Sequence, residues 1–220
     1  METRDISKFI DYTLLKPDAD SSMFEKLCSD AVKYGFYSVC VPPYAVKMCK
    51  EFLKCADIKI VTVIGFPLGY ASSETKAFEI KDALSLGADE VDAVINVSAI
   101  KSGDWEYVKN ELTALREAAG KAILKIIIET CYLSSEEIVQ ACAAVSESGA
   151  DFVKTSTGFG SGGAKLEDIE LIKKSISPEV KIKASGAIKT YGQAAEFLAA
   201  GVSRIGTSSV LSAEILIGKN

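Results

Sequence analysis

Eight short β-branched segments recur along this chain, and most intervals between them carry a helix-period stretch. The segments are 9–15 (FIDYTLL), 37–41 (YSVCV), 59–65 (KIVTVIG), 90–96 (EVDAVIN), 123–129 (ILKIIIE), 151–156 (DFVKTS), 180–185 (VKIKAS) and 203–208 (SRIGTS). Helix-period stretches include 23–35, 72–87, 134–149 and 190–201. Two of these open on capping boxes, Ser134 with Glu137 and Thr190 with Gln193, and glycines at 35, 87, 149 and 201 mark their ends. The turn into a strand repeats as GADEVD (87–92) and GADFVK (149–154). Strand then helix eight times over, with no Pro- or Ser-rich linker, predicts a single (β/α)₈ barrel domain over residues 1–220. The competing arrangement is an open doubly wound sheet, which rarely packs eight parallel strands into so short a chain.

Charge and residue counts narrow the chemistry. A net charge of −5 argues against nucleic acid or an anionic membrane as the main partner, so any anion site must be local. The first ten residues carry no basic-then-apolar signal, and no apolar run approaches the length of a membrane span; the expectation is a cytoplasmic protein. Six cysteines without a CxxC pair read as reduced thiols. The chain has no histidine. Acid–base work therefore falls to Asp, Glu, Lys, Tyr or Cys, a His-ligated zinc aldolase is excluded, and neither a metal nor a cofactor is expected.

In such a barrel the active site lies at the carboxyl ends of the strands. Lys154 and Lys183 stand there on neighbouring strand patterns, each followed by a Ser/Gly-rich loop. A lysine beside another lysine has a depressed pKa, and the neutral amine attacks carbonyls. Asp92 lies far enough along its strand to join them. Asp11, Thr13 and Leu15 share one face by the period of two and also point to the interior. Lys125 sits early in its strand, so it is expected near the closed bottom in a structural ion pair. A buried Lys or Asp is usually only a satisfied core ion pair, but three converging on one mouth favour catalysis. These residues do not say which lysine is the nucleophile.

The loops after strands six, seven and eight, GFGSGG (158–163), SGAI (185–188) and GTSS (206–209), form the predicted phosphate end. Gly158, Gly186, Ala187 and Gly206 would bring backbone amides close, and Ser208 and Ser209 would add hydroxyls. GFGSGG follows strand six and lacks an acidic residue ending a following strand, so it is not a dinucleotide fingerprint.

Taken together, IDYTLLKPDAD (10–20), SVCVPPY (38–44), TVIGFPLG (62–69), GADEVDAVIN (87–96), KIIIET (125–130), FVKTSTGF (152–159), IKASGAI (182–188) and SRIGTSS (203–209) resemble the deoxyribose-phosphate aldolase family. The resemblance runs in order over nearly the whole chain, one motif per strand. It implies a (β/α)₈ class I aldolase that interconverts 2-deoxy-D-ribose 5-phosphate with acetaldehyde and D-glyceraldehyde 3-phosphate. It further implies that Lys154 forms the Schiff base, that Lys183 perturbs it and relays protons, and that Asp92 moves protons through an ordered water. The partners so implied are a sugar phosphate and aldehydes, and a homodimer is left open.

The chain departs from the family pattern at several points. Tyr12 replaces a histidine, Pro42 an asparagine, Ala187 a glycine and Lys189 an arginine. Some members also carry a tail tyrosine that reaches back over the site; with no aromatic near the final GKN, a tail-assisted proton step is not expected. Two rival readings remain. One is another Schiff-base aldolase acting on a keto-sugar phosphate in the manner of transaldolase. The other is a barrel that binds a sugar phosphate without turning it over.

Overall fold

The computed structural model describes residues 6–208. Its strands are β1 (Ile10–Thr13), β2 (Ser38–Val41), β3 (Lys59–Ile64), β4 (Glu90–Val94), β5 (Ile123–Ile127), β6 (Phe152–Lys154), β7 (Lys181–Ser185) and β8 (Arg204–Ser208). They pair in parallel, in sequence order, and β8 closes onto β1 through Ile10↔Ile205 and Asp11↔Gly206. All eight strand segments read from the sequence are therefore present, as a closed barrel rather than an open sheet.

Helices fill the intervals: α1 (Ser21–Tyr34), α2 (Val46–Phe52), α3 (Ser73–Ser85), α4 (Val97–Lys101), α5 (Trp105–Ala119), α6 (Ser135–Ser148), α7 (Leu166–Ser175) and α8 (Tyr191–Ala199). Both expected capping boxes form, at the starts of α6 and α8, and each satisfies backbone N–H groups that the helix itself cannot. Gly35 and Gly149 end α1 and α6 in the left-handed region, at φ 65° and 75°. The repeated turn has a physical basis as well. Asp89 and Asp151 each accept a hydrogen bond from the preceding strand, Asp89 from Ile60 N and Asp151 from Leu124 N, both at 2.8 Å. The same two residues donate their own N–H groups back to the Ile60 and Leu124 carbonyls.

The period of two sorts each strand into two faces. Outward residues such as Ile10, Tyr12, Val39, Val91, Ile126, Val153 and Ile205 are buried with the apolar faces of the helices in one continuous core. Inward residues divide unevenly. On β2 and β3 they are Cys40, Val61 and Val63, packed with Leu15 and Phe66. On the remaining strands they include the buried charges Asp11, Glu90, Asp92, Lys125, Lys154, Lys183 and Arg204. Tyr12, one of the departures from the family pattern, belongs to the outer layer, where its ring lies 5.0 Å from that of Phe36, so it does not touch the interior.

Candidate active site

Parallel register explains why the two lysines meet. Lys154 on β6 and Lys183 on β7 are direct Cα partners, so both stems leave neighbouring strands on the inner face at the same height. Both are buried, as is Asp92 on β4. The Asp92 Oδ2 atom accepts from Lys154 Nζ at 2.8 Å and from Lys183 Nζ at 2.7 Å, which places the two amines on one carboxylate oxygen. The structure thus brings Lys154, Lys183 and Asp92 together at a single point.

The electrostatics separate the two amines. Burial pushes the Lys154 pKa below the ordinary lysine value, with the Lys183 charge acting in the same direction against the pull of Asp92. Lys183 goes the other way. Burial again favours its neutral form, but contacts with both Asp11 and Asp92 outweigh that and raise its pKa. Asp92 is held well below the usual carboxylate range: burial opposes its charge, and the Lys125, Lys154 and Lys183 ammonium groups overcome that. One lysine is therefore pushed toward its neutral form beside one held as a cation, the combination a carbonyl nucleophile with a proton donor at hand requires.

Lys125 does form an ion pair, as its place in the sequence suggested, but its ammonium is not confined to the closed bottom. It reaches Asp92 Oδ1 at 2.9 Å and Glu90 Oε2 at 2.5 Å, and so shares a carboxylate with the two lysines at the mouth. Sequence reasoning missed two further members, Glu90 and Arg204. Glu90 shares the inner face of β4 with Asp92 by the period of two, and Arg204 stands inside a β-branched run. A charge in such a run was the usable signal for both.

The rim over β6 and β7 is built from backbone. Gly158, Gly163 and Gly186 pack so closely that a Cβ on Gly186 would lie 2.9 Å from Gly163 Cα, and one on Gly163 would lie 2.4 Å from the Gly186 oxygen. The Ala164 N–H donates to the carbonyls of Ser185 and Gly186, tying the loop after β6 to the loop after β7. Ala187 takes a positive φ of 61°, a glycine-like conformation, at the place where it departs from the family pattern. Lys189 is exposed, and its backbone N–H donates to Gln193 within the α8 capping box. Gly206 lies inside β8 rather than in the loop beyond it. A Cβ there would come within 3.3 Å of Lys183 Cε and 2.9 Å of Ser185 Cβ, so the missing side chain clears the Lys183 stem. Ser208 ends β8 and is exposed. Ser209 falls outside the described residues.

A cavity of about 240 Å³ opens beside this rim, lined among others by Leu68, Val94, Glu129, Thr157 and Phe159. Glu129 was also missed. Its φ is 53°, and both its carboxylate oxygens accept from the Thr157 N–H at 3.2 Å, with the Thr157 hydroxyl as a further donor. It thereby anchors the segment that follows Lys154. Among the described residues no group of three or more His, Cys, Asp or Glu side chains is arranged to hold a metal ion, and no helix is long and apolar enough to cross a membrane.

Comparison with known proteins gives the family and the fold. Residues 7–205 match the family described as DeoC/LacD family aldolase. The chain is 54% identical to the deoxyribose-phosphate aldolase of Thermococcus kodakarensis over 213 residues, covering 95% of each chain. It is 53% identical to that of Brevibacillus brevis over 207 residues, covering 94% of each. Among solved structures, a putative deoxyribose-phosphate aldolase from Coccidioides immitis superposes with a TM-score of 0.89 at 38% identity, covering 92% of this chain and 81% of that one. The tetrameric deoxyribose phosphate aldolase from Aeropyrum pernix superposes with a TM-score of 0.87 at 30% identity, covering 96% and 89%.

Proposed function

This chain belongs to the DeoC/LacD aldolase family, and from that premise we propose that Lys154 carries the covalent step of its reaction. The reaction is the reversible cleavage of 2-deoxy-D-ribose 5-phosphate to acetaldehyde and D-glyceraldehyde 3-phosphate. The observation that supports the assignment is the pair of amines on one oxygen of Asp92, one pushed toward neutrality and the other held charged.

Neutral Lys154 Nζ adds to the C1 aldehyde of the open-chain sugar, and loss of water leaves a protonated imine. That cation is the electron sink. When the C3 hydroxyl loses its proton, the C2–C3 bond breaks, glyceraldehyde 3-phosphate departs, and the electron pair becomes the enamine on C2. Protonation of C2 and hydrolysis then free acetaldehyde and restore the amine. Lys183 and Asp92 handle the protons between them. Lys183 enters as the donor, since Asp11 and Asp92 hold it charged, and Asp92 Oδ2 is the acceptor that both amines already touch.

The phosphate lies on the backbone rim, against the amides around Gly158, Gly186 and Ala187, with Ser208 at the end of β8 beside them. Charge-assisted hydrogen bonds contribute about 1.5–3 kcal/mol each. Two of them make plain 2-deoxyribose poorer by on the order of 10²-fold or more in kcat/KM. The measurement is acetaldehyde release from both sugars by the unaltered protein and by Lys154→Met. Loss of release in Lys154→Met, with phosphate-dependent release in the unaltered protein, is expected; comparable release from Lys154→Met contradicts the assignment. The reading places the enzyme in the cytoplasm. Self-association, which sedimentation would measure, is left open by it, a homodimer being one form it allows.

A further inference from the structure

The buried charges of the barrel form a closed ring. Asp11 pairs with Lys183, Lys183 with Asp92, Asp92 with Lys125, Lys125 with Glu90, Glu90 with Arg204, and Arg204 with Asp11 again. Acids and cations alternate, three of each, and every member touches two partners of opposite sign. Lys154 stands outside this ring. Its one ion-pair contact among the described residues is with Asp92, at an oxygen already taken by Lys183.

From this we propose that Arg204 and Glu90, at the far end of the ring from the substrate, set the protonation state of Lys154 by fixing the charge count of the barrel interior. An unbalanced charge in a water-poor interior is costly, and the site neutralises where it can. Among the described residues, four cations face three carboxylates in the ring and at Lys154, so one proton is surplus. Arg204 cannot release a proton. Lys125 and Lys183 each sit between two carboxylates. Lys154 has a share in only one, so the surplus proton leaves from there.

The groups facing Lys154 are accounted for strand by strand. β1 gives Asp11, β4 gives Glu90 and Asp92, β5 gives Lys125, β7 gives Lys183 and β8 gives Arg204. β2 gives Cys40, whose thiol burial holds in its protonated form, and Tyr37 just before it donates to Glu90. The inner face of β3 above Lys59 is apolar, with Val61 and Val63. Lys59 and Lys181 lie at the exposed starts of their strands, in water. Glu129, itself buried, lines the cavity at the mouth and accepts from Thr157 and the Cys131 thiol rather than from the ring. Arg204 touches neither Lys154 nor the reacting atoms; it is a positioning residue that acts through Asp11 and Lys183.

The inference rests on Lys154 being the imine-forming residue, and its test keeps the two apart. Acetaldehyde and borohydride are applied across a pH series, and the adduct on each lysine peptide is measured by mass spectrometry. Arg204→Met removes one cation, so Lys154 must stay charged to balance the ring. Its trapping should then begin at higher pH. A charge two strands away, about 10 Å at ordinary strand spacing, shifts such a limb by on the order of one pH unit. Glu90→Gln removes one acid and should move the limb to lower pH. The double variant restores the balance and should return the limb toward its original place. Arg204→Lys keeps the charge and should leave the limb unmoved; if Arg204→Met does not fold, the Glu90→Gln and Arg204→Lys arms carry the test. A merely structural Arg204 would lower the melting temperature without shifts of opposite sign. Adduct on Lys154 with one pH dependence in all variants overturns the ring inference alone. No adduct on Lys154 in the unaltered protein overturns the reading beneath it.

Discussion

Two buried ionic systems in this protein follow opposite rules. Outside the barrel, between helices α3 and α5, Lys76 and Glu111 form a pair with both side chains fully buried. Lys76 Nζ also donates to the Val94 carbonyl at 2.8 Å, and Glu111 accepts from the Asn96 N–H at 2.9 Å. One cation meets one anion, and their remaining capacity goes to the backbone that ends β4. Inside the barrel, among the described residues, four cations meet three carboxylates, and Lys154 is left with a shared oxygen. The balanced pair holds two helices to a strand. On the proposed reading, the unbalanced set keeps one amine available for chemistry. Burial alone does not mark a reactive charge; what marks it is the lack of a full set of partners.

Substitutions that break this contrast should have the largest effects. Asp92→Asn is nearly isosteric but removes the oxygen that both amines share, and turnover should fall by on the order of 10²–10⁴-fold. Acetaldehyde release checks this, and near-unaltered turnover would end the proton-relay role. Lys76→Met should do the reverse. It leaves Glu111 buried without its cation and should cost about 3–5 kcal/mol in stability while the folded fraction keeps its kcat. The sign of the pH dependence follows. An unpaired buried carboxyl has a folded pKa raised above its unfolded value, so it destabilises the fold above that raised pKa and ceases to do so below the unfolded value. The stability deficit of Lys76→Met, from denaturant titration, should therefore shrink as the pH falls. A deficit independent of pH would mean that lost packing, not lost charge balance, is responsible.

Smaller effects sharpen the boundary between side-chain and backbone machinery. Ala187 holds a φ of 61°, where an L-residue is disfavoured by about 1–2 kcal/mol. Ala187→Gly should raise stability or the affinity for the phosphorylated sugar by a comparable amount. A neutral result in both melting and KM would place the strain elsewhere. Cys40→Ala should change activity least. Its thiol is buried in the barrel interior and kept protonated, so it adds nothing to the charge count, and the reaction already has a nucleophile. A folded but inactive Cys40→Ala protein would assign that thiol a part in the reaction.

The barrel was legible because its signals are local. Capping boxes, αL glycines and β-branched runs each report on a few neighbouring residues, and all of them agreed on the eight-fold alternation. The meeting of Lys154, Lys183 and Asp92 was legible because they are charges set in apolar strands, and parallel register fixes which of them face one another. The ring was not legible. Its closure depends on contacts such as Arg204 with Asp11, 193 residues apart, and on a Lys125 ammonium that reaches farther than its early strand position suggested. Gly206 was read as an amide donor after its strand, whereas barrel closure against β1 places it within β8, clearing space for Lys183. Glu129 lies at a strand end beside a loop, where an acidic residue is ordinary. Only its positive φ and its grip on Thr157 set it apart, and neither is written in the residue type.

The central claim is that the lysine outside the ring is the one that reacts. It is tested most directly by trapping with acetaldehyde and borohydride at neutral pH, followed by quantitative peptide mass spectrometry of the Lys125, Lys154 and Lys183 peptides. The account predicts a reduced two-carbon adduct concentrated on Lys154, with Lys125 and Lys183 unmodified. An adduct mainly on either ring lysine, with Lys154 unmodified, would contradict it.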